Sequence, residues 1–414
     1  MIKKIYTNIT TFTICFCIIT FYPLICFSYG NYEWSVSFDS VATSESDSKA
    51  LKEDTSNSLN LDCGSAVLIE QNSCKVLYNH NMHEQLRPAS VTKIMTILLI
   101  MEALDSGKIN YDTQIPCSEN AASMGGSQIW LDTTETLSVD EMLKAICVVS
   151  ANDCTVAMAE YLAGSEESFV AQMNDKAKEL GMNDTCFKNC HGIDEDGHVT
   201  SSYDIALMSR ELLSKHPDIT KYTTIYMDSL RGGKSELVNT NKLLRTYKGI
   251  TGLKTGSTSL ALYNLSASAT RDDLSLIAVV MQAPSTKLRF ENAQKLLDYG
   301  FANYSYTKLG NSGDTIQTVS VLKGIEPSVS AVLENTSGVL IPKGKETEIE
   351  QKISIDDNLN APISKGQKIG EVTYTLGDET LSTIDVVASN DVEQISFGTM
   401  SCNVLEKWFN LLKK

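Results

Sequence analysis

The pattern of apolar and polar positions predicts a mixed region of helices and strands between residues 61 and 304. The runs 65–70 and 75–78 are separated by turn-forming residues and predict a β-hairpin. Residues 94–101 are apolar on nearly every side, which is typical of a buried central helix. A second hairpin of the same sheet is predicted at 263–270 and 274–281, beside a strand that begins at Lys254.

Helix boundaries in the same region are marked by capping residues. Ser138 and Glu141 form a capping-box pattern, and Ser165 and Gly181 bracket another helical segment. Helices are predicted by these caps and by apolar periodicity at about 139–149, 153–162, 165–180, 203–214 and 285–304. The fold class is therefore α/β (α+β), with a sheet, helices on its faces and a helical cluster.

The pattern changes near residue 305, where helical periodicity stops. Short alternating runs at 319–322, 338–342, 348–353 and 371–376 predict a small antiparallel β domain over 305–392. Residues 393–414 then form an amphipathic helix that is too short and too polar to span a bilayer. This helix is expected to lie on a membrane surface; packing on its own protein or a dimer contact are the alternatives.

The first sixty residues differ from the rest of the chain. Lys3 and Lys4 precede a short apolar run, and small residues surround a cleavage point after Ser28 or Gly30. Residues 1–28 are therefore predicted to be a signal peptide, with an uncleaved anchor as the alternative. Residues 29–60 are rich in Ser and acidic residues and are predicted to be a linker. The protein is expected to be exported.

Composition narrows the choice of partners. The formal net charge of −16 argues against nucleic acid, because phosphate binding requires clustered Lys and Arg. Eight of the eleven cysteines follow the predicted signal peptide, and their scattered positions favour free thiols over disulfides. Cys186, Cys190 and His191 lack a second ligand pair at zinc-finger spacing, so no metal site is predicted.

Three short motifs carry the candidate chemistry. They are Ser90-x-x-Lys93, Ser150-Ala151-Asn152 and Lys254-Thr255-Gly256. This order indicates a serine acyl-transferase that uses lysine as the base. Residues i and i+3 share a helix face, so Lys93 lies about one turn from Ser90. Lys93 must be neutral to act as a base, which requires lowering its pKa by about three units, or roughly 4 kcal/mol. Burial and the nearby charge of Lys254 would both act in that direction.

The chain resembles the low-molecular-mass penicillin-binding proteins of the D-alanyl-D-alanine carboxypeptidase family. The resemblance covers residues 61–395 and is carried by the three motifs and by the segments 86–96, 125–127, 189–204, 239–244 and 252–256. It implies a β-lactamase/transpeptidase-like domain with a central antiparallel sheet and a helical cluster, followed by the small all-β domain. No metal or organic cofactor is expected.

The resemblance also implies a role for each motif residue. Ser90 is expected to be the acylated nucleophile and Lys93 its base, while Ser150 relays a proton and Asn152 holds Lys93 and the substrate amide. Lys254, Thr255, Gly256 and Ser257 are expected to form the substrate-binding strand, with the backbone N–H groups of Ser90 and Ser257 as the oxyanion hole.

The expected reaction is removal of the terminal D-alanine from a peptidoglycan stem peptide at the extracytoplasmic face of the membrane. β-Lactams are expected as inhibitors. Two alternatives stay open, a β-lactamase-type hydrolase and a catalytically idle peptidoglycan-binding protein. Leu260 and Leu262 are bulkier than the resemblance leads us to expect, and they are predicted to change the shape of the pocket floor.

Overall fold

A computed structural model of the protein describes residues 59–356 and 359–412. The predicted signal peptide, 1–28, lies outside the described residues. The predicted linker, 29–60, also lies outside them, except for residues 59 and 60.

Strands and helices alternate irregularly through the first part of the described chain. The strands are β1 (Ser65–Glu70), β2 (Val76–His80), β3 (Gln114–Pro116), β4 (Thr136–Ser138), β5 (Met227–Leu230), β6 (Ser235–Val238), β7 (Ile250–Thr258), β8 (Leu262–Arg271) and β9 (Leu274–Ala283). The longer helices are α1 (Lys93–Asp105), α2 (Val139–Val148), α3 (Asn152–Ala163), α4 (Glu166–Glu179), α5 (Ser202–Lys215) and α6 (Thr286–Asn303). Short helical turns occupy Ala89–Thr92, Glu119–Ala122, Pro217–Ile219, Thr220–Thr223, Arg231–Gly233, Leu243–Thr246 and Glu346–Glu348.

The central sheet of the described chain has five antiparallel strands in the order β2-β1-β9-β8-β7. Val67 and Ile69 of β1 face the helical cluster around α1, whereas Ala66 and Leu68 face α6. Both faces are thus covered, which explains why the strand sequences are apolar at nearly every position. The mixed fold class is confirmed, and β7 is left as one edge of the sheet.

The capping predictions are confirmed by hydrogen bonds. The Ser138 hydroxyl accepts from the backbone N–H of Glu141, and the Glu141 carboxylate accepts from the backbone N–H of Ser138. The side chains of Ser165 and Ser285 also cap α4 and α6, by accepting from the backbone N–H groups of Ser168 and Leu288. These local interactions lie within four residues of sequence, so the sequence pattern specifies them.

The start of the strand that contains Lys254 was predicted incorrectly. β7 begins at Ile250, so Lys254-Thr255-Gly256 lies in the middle of the strand. The pairing of β7 with β8 shifts register between Ile250 and Gly252. This irregularity and the glycine interrupt the apolar pattern of the strand. The sequence pattern therefore does not indicate the first residues of β7.

The C-terminal part of the described chain is rich in strands. They are β10 (Tyr304–Gly310), β11 (Thr315–Leu322), β12 (Ser328–Leu333), β13 (Ser337–Pro342), β14 (Ile349–Ile355), β15 (Leu359–Asn360), β16 (Lys368–Leu376) and β17 (Glu379–Ala388). The described sheet has the order β14-β16-β17-β12-β11-β15, and β10 pairs with β13. The all-β prediction is confirmed, but the short β11–β15 pair is parallel, contrary to the fully antiparallel prediction.

The last described element is helix α7 (Phe397–Leu412). Phe397, Met400, Val404, Leu405 and Trp408 are each more than half exposed on this helix. No helix among residues 59–356 and 359–412 is long and apolar enough to cross a membrane. The described helix covers part of the predicted range 393–414, and it presents a row of large apolar side chains to its surroundings.

Candidate active site

Ser90 and Lys93 lie together where a 3-10 turn, Ala89–Thr92, runs into α1. The Lys93 Nζ atom is 3.0 Å from Ser90 Oγ, 2.6 Å from Asn152 Oδ1 and 2.6 Å from the backbone oxygen of His191. The Lys93 side chain is fully buried, whereas Ser90 is half-buried. The first two motifs of the sequence therefore meet at one nitrogen atom.

The two buried lysines have lowered pKa values. Burial lowers the pKa of Lys93 well below its usual value, and the nearby charge of Lys254 lowers it further. Burial, with a smaller contribution from the Arg289 guanidinium, lowers the pKa of Lys254 to about 7. An ammonium in this environment loses the solvation that stabilises its charge. Lys93 therefore loses its proton at a lower pH than an ordinary lysine, which favours its neutral, basic form.

The neighbours of Lys93 also determine the direction of its lone pair. A neutral amine keeps two N–H donors and gains one acceptor position. The Asn152 Oδ1 atom and the His191 carbonyl can only accept hydrogen bonds, so they take the two donors. The lone pair is left facing Ser90 Oγ, whose hydroxyl can then donate its proton to Lys93.

Ser150 lies between α2 and α3 in a left-handed backbone conformation, with φ of 65°. Its Oγ atom is buried and has no hydrogen-bond partner among the described residues. Asn152 begins α3 and is held in place by Ser127 and Gly125. Its backbone N–H donates to Ser127 O at 2.7 Å, and its side-chain amide donates to Gly125 O at 2.7 Å. The segment 125–127 therefore lies beside Asn152.

Strand β7 forms the opposite wall of the site. The Thr255 hydroxyl lies 2.7 Å from that of Thr240, and Lys254 Nζ donates to Thr255 O at 3.0 Å. A Cβ atom on Gly256 would lie 2.9 Å from Pro88 O, Ser90 N and Val91 N. Real Cβ atoms essentially never approach that closely, so a glycine at this position allows β7 to lie against the nucleophile turn.

The loop that begins at Asn189 forms the back of the site. Gly192 has φ of 92°, and a Cβ there would lie 2.0 Å from Ala89 O. Burial lowers the pKa of His191 to about 3 and that of His198 to about 4, so both rings are neutral near pH 7. The His198 Nε2 atom lies 2.8 Å from Thr92 Oγ1. These contacts fix the loop against the turn that carries Ser90.

Leu260 lies in the turn between β7 and β8, and Leu262 is the first residue of β8; they are 59% and 36% exposed. Their effect on the shape of the pocket floor stays a prediction.

Three contributors to the site were missed by the sequence analysis. They are the backbone oxygen of His191, the Arg289 side chain and the carboxylate of Asp153. Arg289 donates to Gly256 O at 3.2 Å from α6, and the Asp153 side chain accepts from the backbone of residues 129 and 131. For Asp153, its position next to Asn152 was a sequence signal that could have been used. The backbone oxygen of His191 and the distant Arg289 have no such signal in the sequence.

Family comparisons agree with this geometry. The family model described as D-alanyl-D-alanine carboxypeptidase matches residues 52–285. The model described as Penicillin-binding protein 5, C-terminal domain, matches residues 304–394. The D-alanyl-D-alanine carboxypeptidase DacF of Bacillus subtilis (strain 168) is 45% identical over 348 residues, covering 83% of this chain and 89% of that protein.

Solved structures show the same fold. Penicillin binding protein 5 from Haemophilus influenzae has 34% sequence identity and a TM-score of 0.71, and the match covers 81% of this chain and 98% of that chain. Penicillin-Binding Protein D2 from Listeria monocytogenes, in its ampicillin-bound form, has 30% identity and a TM-score of 0.55. That match covers 59% of this chain and 100% of the other.

Proposed function

The chain belongs to the D-alanyl-D-alanine carboxypeptidase family of serine hydrolases, and from this premise we propose that Ser90 attacks peptidoglycan stem peptides and releases their terminal D-alanine. The observation that carries the proposal is the position of buried Lys93, 3.0 Å from Ser90 Oγ, with its other two neighbours restricted to accepting hydrogen bonds. A serine hydroxyl needs such a base because it is a weak nucleophile on its own.

Acylation begins when Lys93 accepts the Ser90 proton and Ser90 Oγ bonds to the carbonyl carbon of the penultimate D-alanine. Lys254 and Thr255 bind the terminal carboxylate, and that negative charge keeps Lys254 protonated. The backbone N–H groups of Ser90 and Ser257 are proposed to hold the oxyanion. Removing one donor of this kind typically costs about 10²–10³ in rate.

The leaving amine needs a proton before the C–N bond breaks. We assign the relay to Ser150, which passes a proton from Lys93 to the nitrogen of the departing D-alanine. Its buried and unpartnered hydroxyl supports this role, since an unpaired buried polar group is costly and a bound amine would satisfy it. Water then attacks the ester, the shortened peptide leaves, and Ser90 regains its proton.

β-Lactams are proposed to acylate the same serine. The family resemblance and the ampicillin-bound form of the Listeria relative support this assignment. The amide of the β-lactam ring takes the place of the D-alanyl-D-alanine bond, and ring opening leaves a penicilloyl ester on Ser90. A carboxypeptidase is expected to keep this adduct for a long time, whereas a β-lactamase would hydrolyse it rapidly.

The test is D-alanine release from diacyl-Lys-D-Ala-D-Ala by residues 29–414, compared with the Ser90→Ala variant. The matched control is Ser214→Ala, at an exposed position on α5. Release by the wild type and the control, without release by Ser90→Ala, is the expected result. Rapid penicillin turnover without D-alanine release would favour the β-lactamase alternative, and neither activity would favour the idle binding protein.

We further propose that the protein is exported and that residues 393–414 lie on the outer face of the membrane. The apolar side chains presented by α7 support this arrangement, because an interfacial helix buries one apolar face among the lipids. For the remaining domains we propose that residues 61–304 are catalytic and that residues 305–392 are a spacer or a partner-binding surface.

Vesicle sedimentation tests the membrane proposal. Residues 29–414 should sediment with lipid vesicles, and a chain that ends at residue 392 should stay in the supernatant while keeping its D-alanine release. If both chains divide equally between the vesicle pellet and the supernatant, the helix contacts protein instead of lipid. A change of oligomeric state on truncation would identify a dimer contact.

A further inference from the structure

Trp130 is a large apolar side chain held outside the protein. It is 76% exposed, although Ile129 and Leu131 on either side of it are each 4% exposed. Its backbone is left-handed, with φ of 54°. A bulky residue in this conformation is a genuine outlier, and such strain persists where the surrounding structure enforces it, commonly at binding and catalytic sites.

The carboxylate of Asp153 is one of the groups that enforce the conformation. Its Oδ2 atom accepts from the backbone N–H of Ile129 and of Leu131, each at 3.0 Å. Asp153 is fully buried, so the two bonds are shielded from water. One carboxylate thus clamps the residues on both sides of Trp130.

Arg231 holds the carbonyl side of the same segment. Its Nη1 atom donates to Ile129 O at 2.9 Å, and its Nη2 atom donates to Trp130 O at 3.4 Å. Glu135 in turn binds Arg231 in a bidentate pair, at 2.5 and 2.6 Å. The backbone of Trp130 is therefore fixed from both sides, while its indole remains accessible.

The position of Trp130 relates it to the catalytic residues. Asn152, which contacts Lys93, also donates to Ser127 O. Trp130 follows Ser127 by three residues, a backbone distance of at most roughly 10 Å. Trp130 therefore lies within roughly 10 Å of the wall that carries Asn152, and its exposed side chain is called the rim of that wall.

The proposed function indicates which part of the substrate reaches this rim. With the terminal carboxylate at Thr255 and the scissile carbonyl at Ser90, the preceding residue of the peptide extends beyond Ser90, away from Thr255. One peptide residue spans about 3.5 Å, and a long side chain of five bonds adds roughly 6 Å, so the end of the side chain before D-Ala-D-Ala can reach a group about 10 Å from Ser90.

Local charge favours a positive group on that side chain. Asp132 is exposed two residues after Trp130, and hydrogen bonds from Thr134 lower the pKa of its carboxyl group, which keeps it ionised. The Arg231 guanidinium is neutralised by Glu135. Tryptophan is also the strongest aromatic partner for a cation.

Resting on the proposed function, we propose that Trp130 is a specificity residue whose indole binds the long side chain of the residue before D-Ala-D-Ala, which ends in a positively charged amine. The strained and clamped backbone holds the indole ring in position before the peptide binds, so less conformational freedom is lost on binding. Lys93 and Ser90 carry out the chemistry, and Trp130 selects which peptide they receive.

Two peptides that differ at a single group test the proposal. Both are Nα-acetyl-Lys-D-Ala-D-Ala; one keeps the free ε-ammonium and the other carries an ε-acetyl group. Trp130→Leu retains an apolar side chain but removes the aromatic face. We expect it to lower kcat/KM about 2- to 30-fold for the free amine and less than about 2-fold for the acetylated peptide.

Several controls make the comparison specific. Trp130→Phe should recover part of the preference for the free amine. Tyr161→Leu, which removes another exposed aromatic side chain, should behave as wild type on both peptides. The rate at which penicillin labels Ser90 should be unchanged in Trp130→Leu, which would show that the catalytic groups remain in place.

An equal loss on both peptides, or no loss on either, would overturn the proposal. A loss confined to glycan-linked substrate would assign Trp130 to a sugar ring instead. If the wild type releases D-alanine from neither peptide, the proposed function fails, and equilibrium binding of both peptides to Ser90→Ala then decides the inference. Tighter binding of the free amine, abolished by adding Trp130→Leu, would support it, and equal binding would refute it.

Discussion

Replacing Lys254 with methionine should make the protein more stable and inactive at the same time. Lys254 is 1% exposed, and its pKa is lowered from 10.5 to about 7. That pKa difference of 3.5 means that the protonated Lys254 destabilises the folded state by about 5 kcal/mol at acidic pH. Methionine has a similar length and no charge, and it loses one hydrogen bond, to Thr255 O, worth about 1 kcal/mol. The net gain at pH 6 should be about 3–4 kcal/mol.

The pH dependence has a definite sign. Between about pH 7 and 10.5 the folded chain has lost the Lys254 proton while the unfolded chain still holds it. The unfolded state therefore binds more protons, and the contribution of Lys254 to wild-type stability rises by about 1.4 kcal/mol per pH unit. The advantage of Lys254→Met should accordingly shrink by roughly 3 kcal/mol between pH 6 and pH 9.5.

Urea unfolding of both chains at pH 6 and pH 9.5 measures this difference. Lys234→Met, at an exposed position between β5 and β6, is the control and should change stability little at either pH. If the wild type and Lys254→Met differ by the same free energy at both pH values, Lys254 has an ordinary pKa. The argument for an electrostatic cost at the site would then be wrong.

Three further outcomes are expected. The kcat/KM profile should rise with pH as Lys93 loses its proton and fall above about pH 7 as Lys254 loses its own in the free enzyme; a flat profile from pH 6 to 9 would contradict these roles. Gly256→Ala should slow labelling of Ser90 by penicillin by about 10²-fold, because the new Cβ would displace a proposed oxyanion donor, and a change under about 3-fold would refute the close contact. Ser150→Ala should keep or raise the free energy of unfolding, because it removes an unpaired buried hydroxyl, while D-alanine release falls about 10²- to 10⁴-fold; a wild-type rate would exclude the relay.

Features encoded by neighbouring residues were predictable from the sequence. The capping box at Ser138 and the hairpin turn at Asp272 and Asp273 depend on groups within a few residues of each other. Lys93 lies one turn after Ser90 for the same reason. The fold class follows from these elements, because their apolar faces can be buried in few ways.

Features formed between distant segments were not predictable. Trp130 stands between the buried residues Ile129 and Leu131, and its exposed position is held by clamps at Asp153 and Arg231. Arg231 lies about a hundred residues further along the chain. The backbone oxygen of His191 likewise contacts Lys93 whatever side chain stands at that position. Such contacts have no residue pattern, since the tertiary fold creates them.

The start of α3 links the catalytic base mechanically to the segment around Trp130. Asn152 contacts the base Lys93, and the next residue, Asp153, clamps the segment around Trp130. Adjacent residues at the beginning of one buried helix cannot move independently of each other, so the rim has no hinge of its own. Any substitution that tilts α3 should therefore alter substrate choice and turnover together. Evolution of a new peptide preference is then easier through the exposed ring itself than through the helix beneath it.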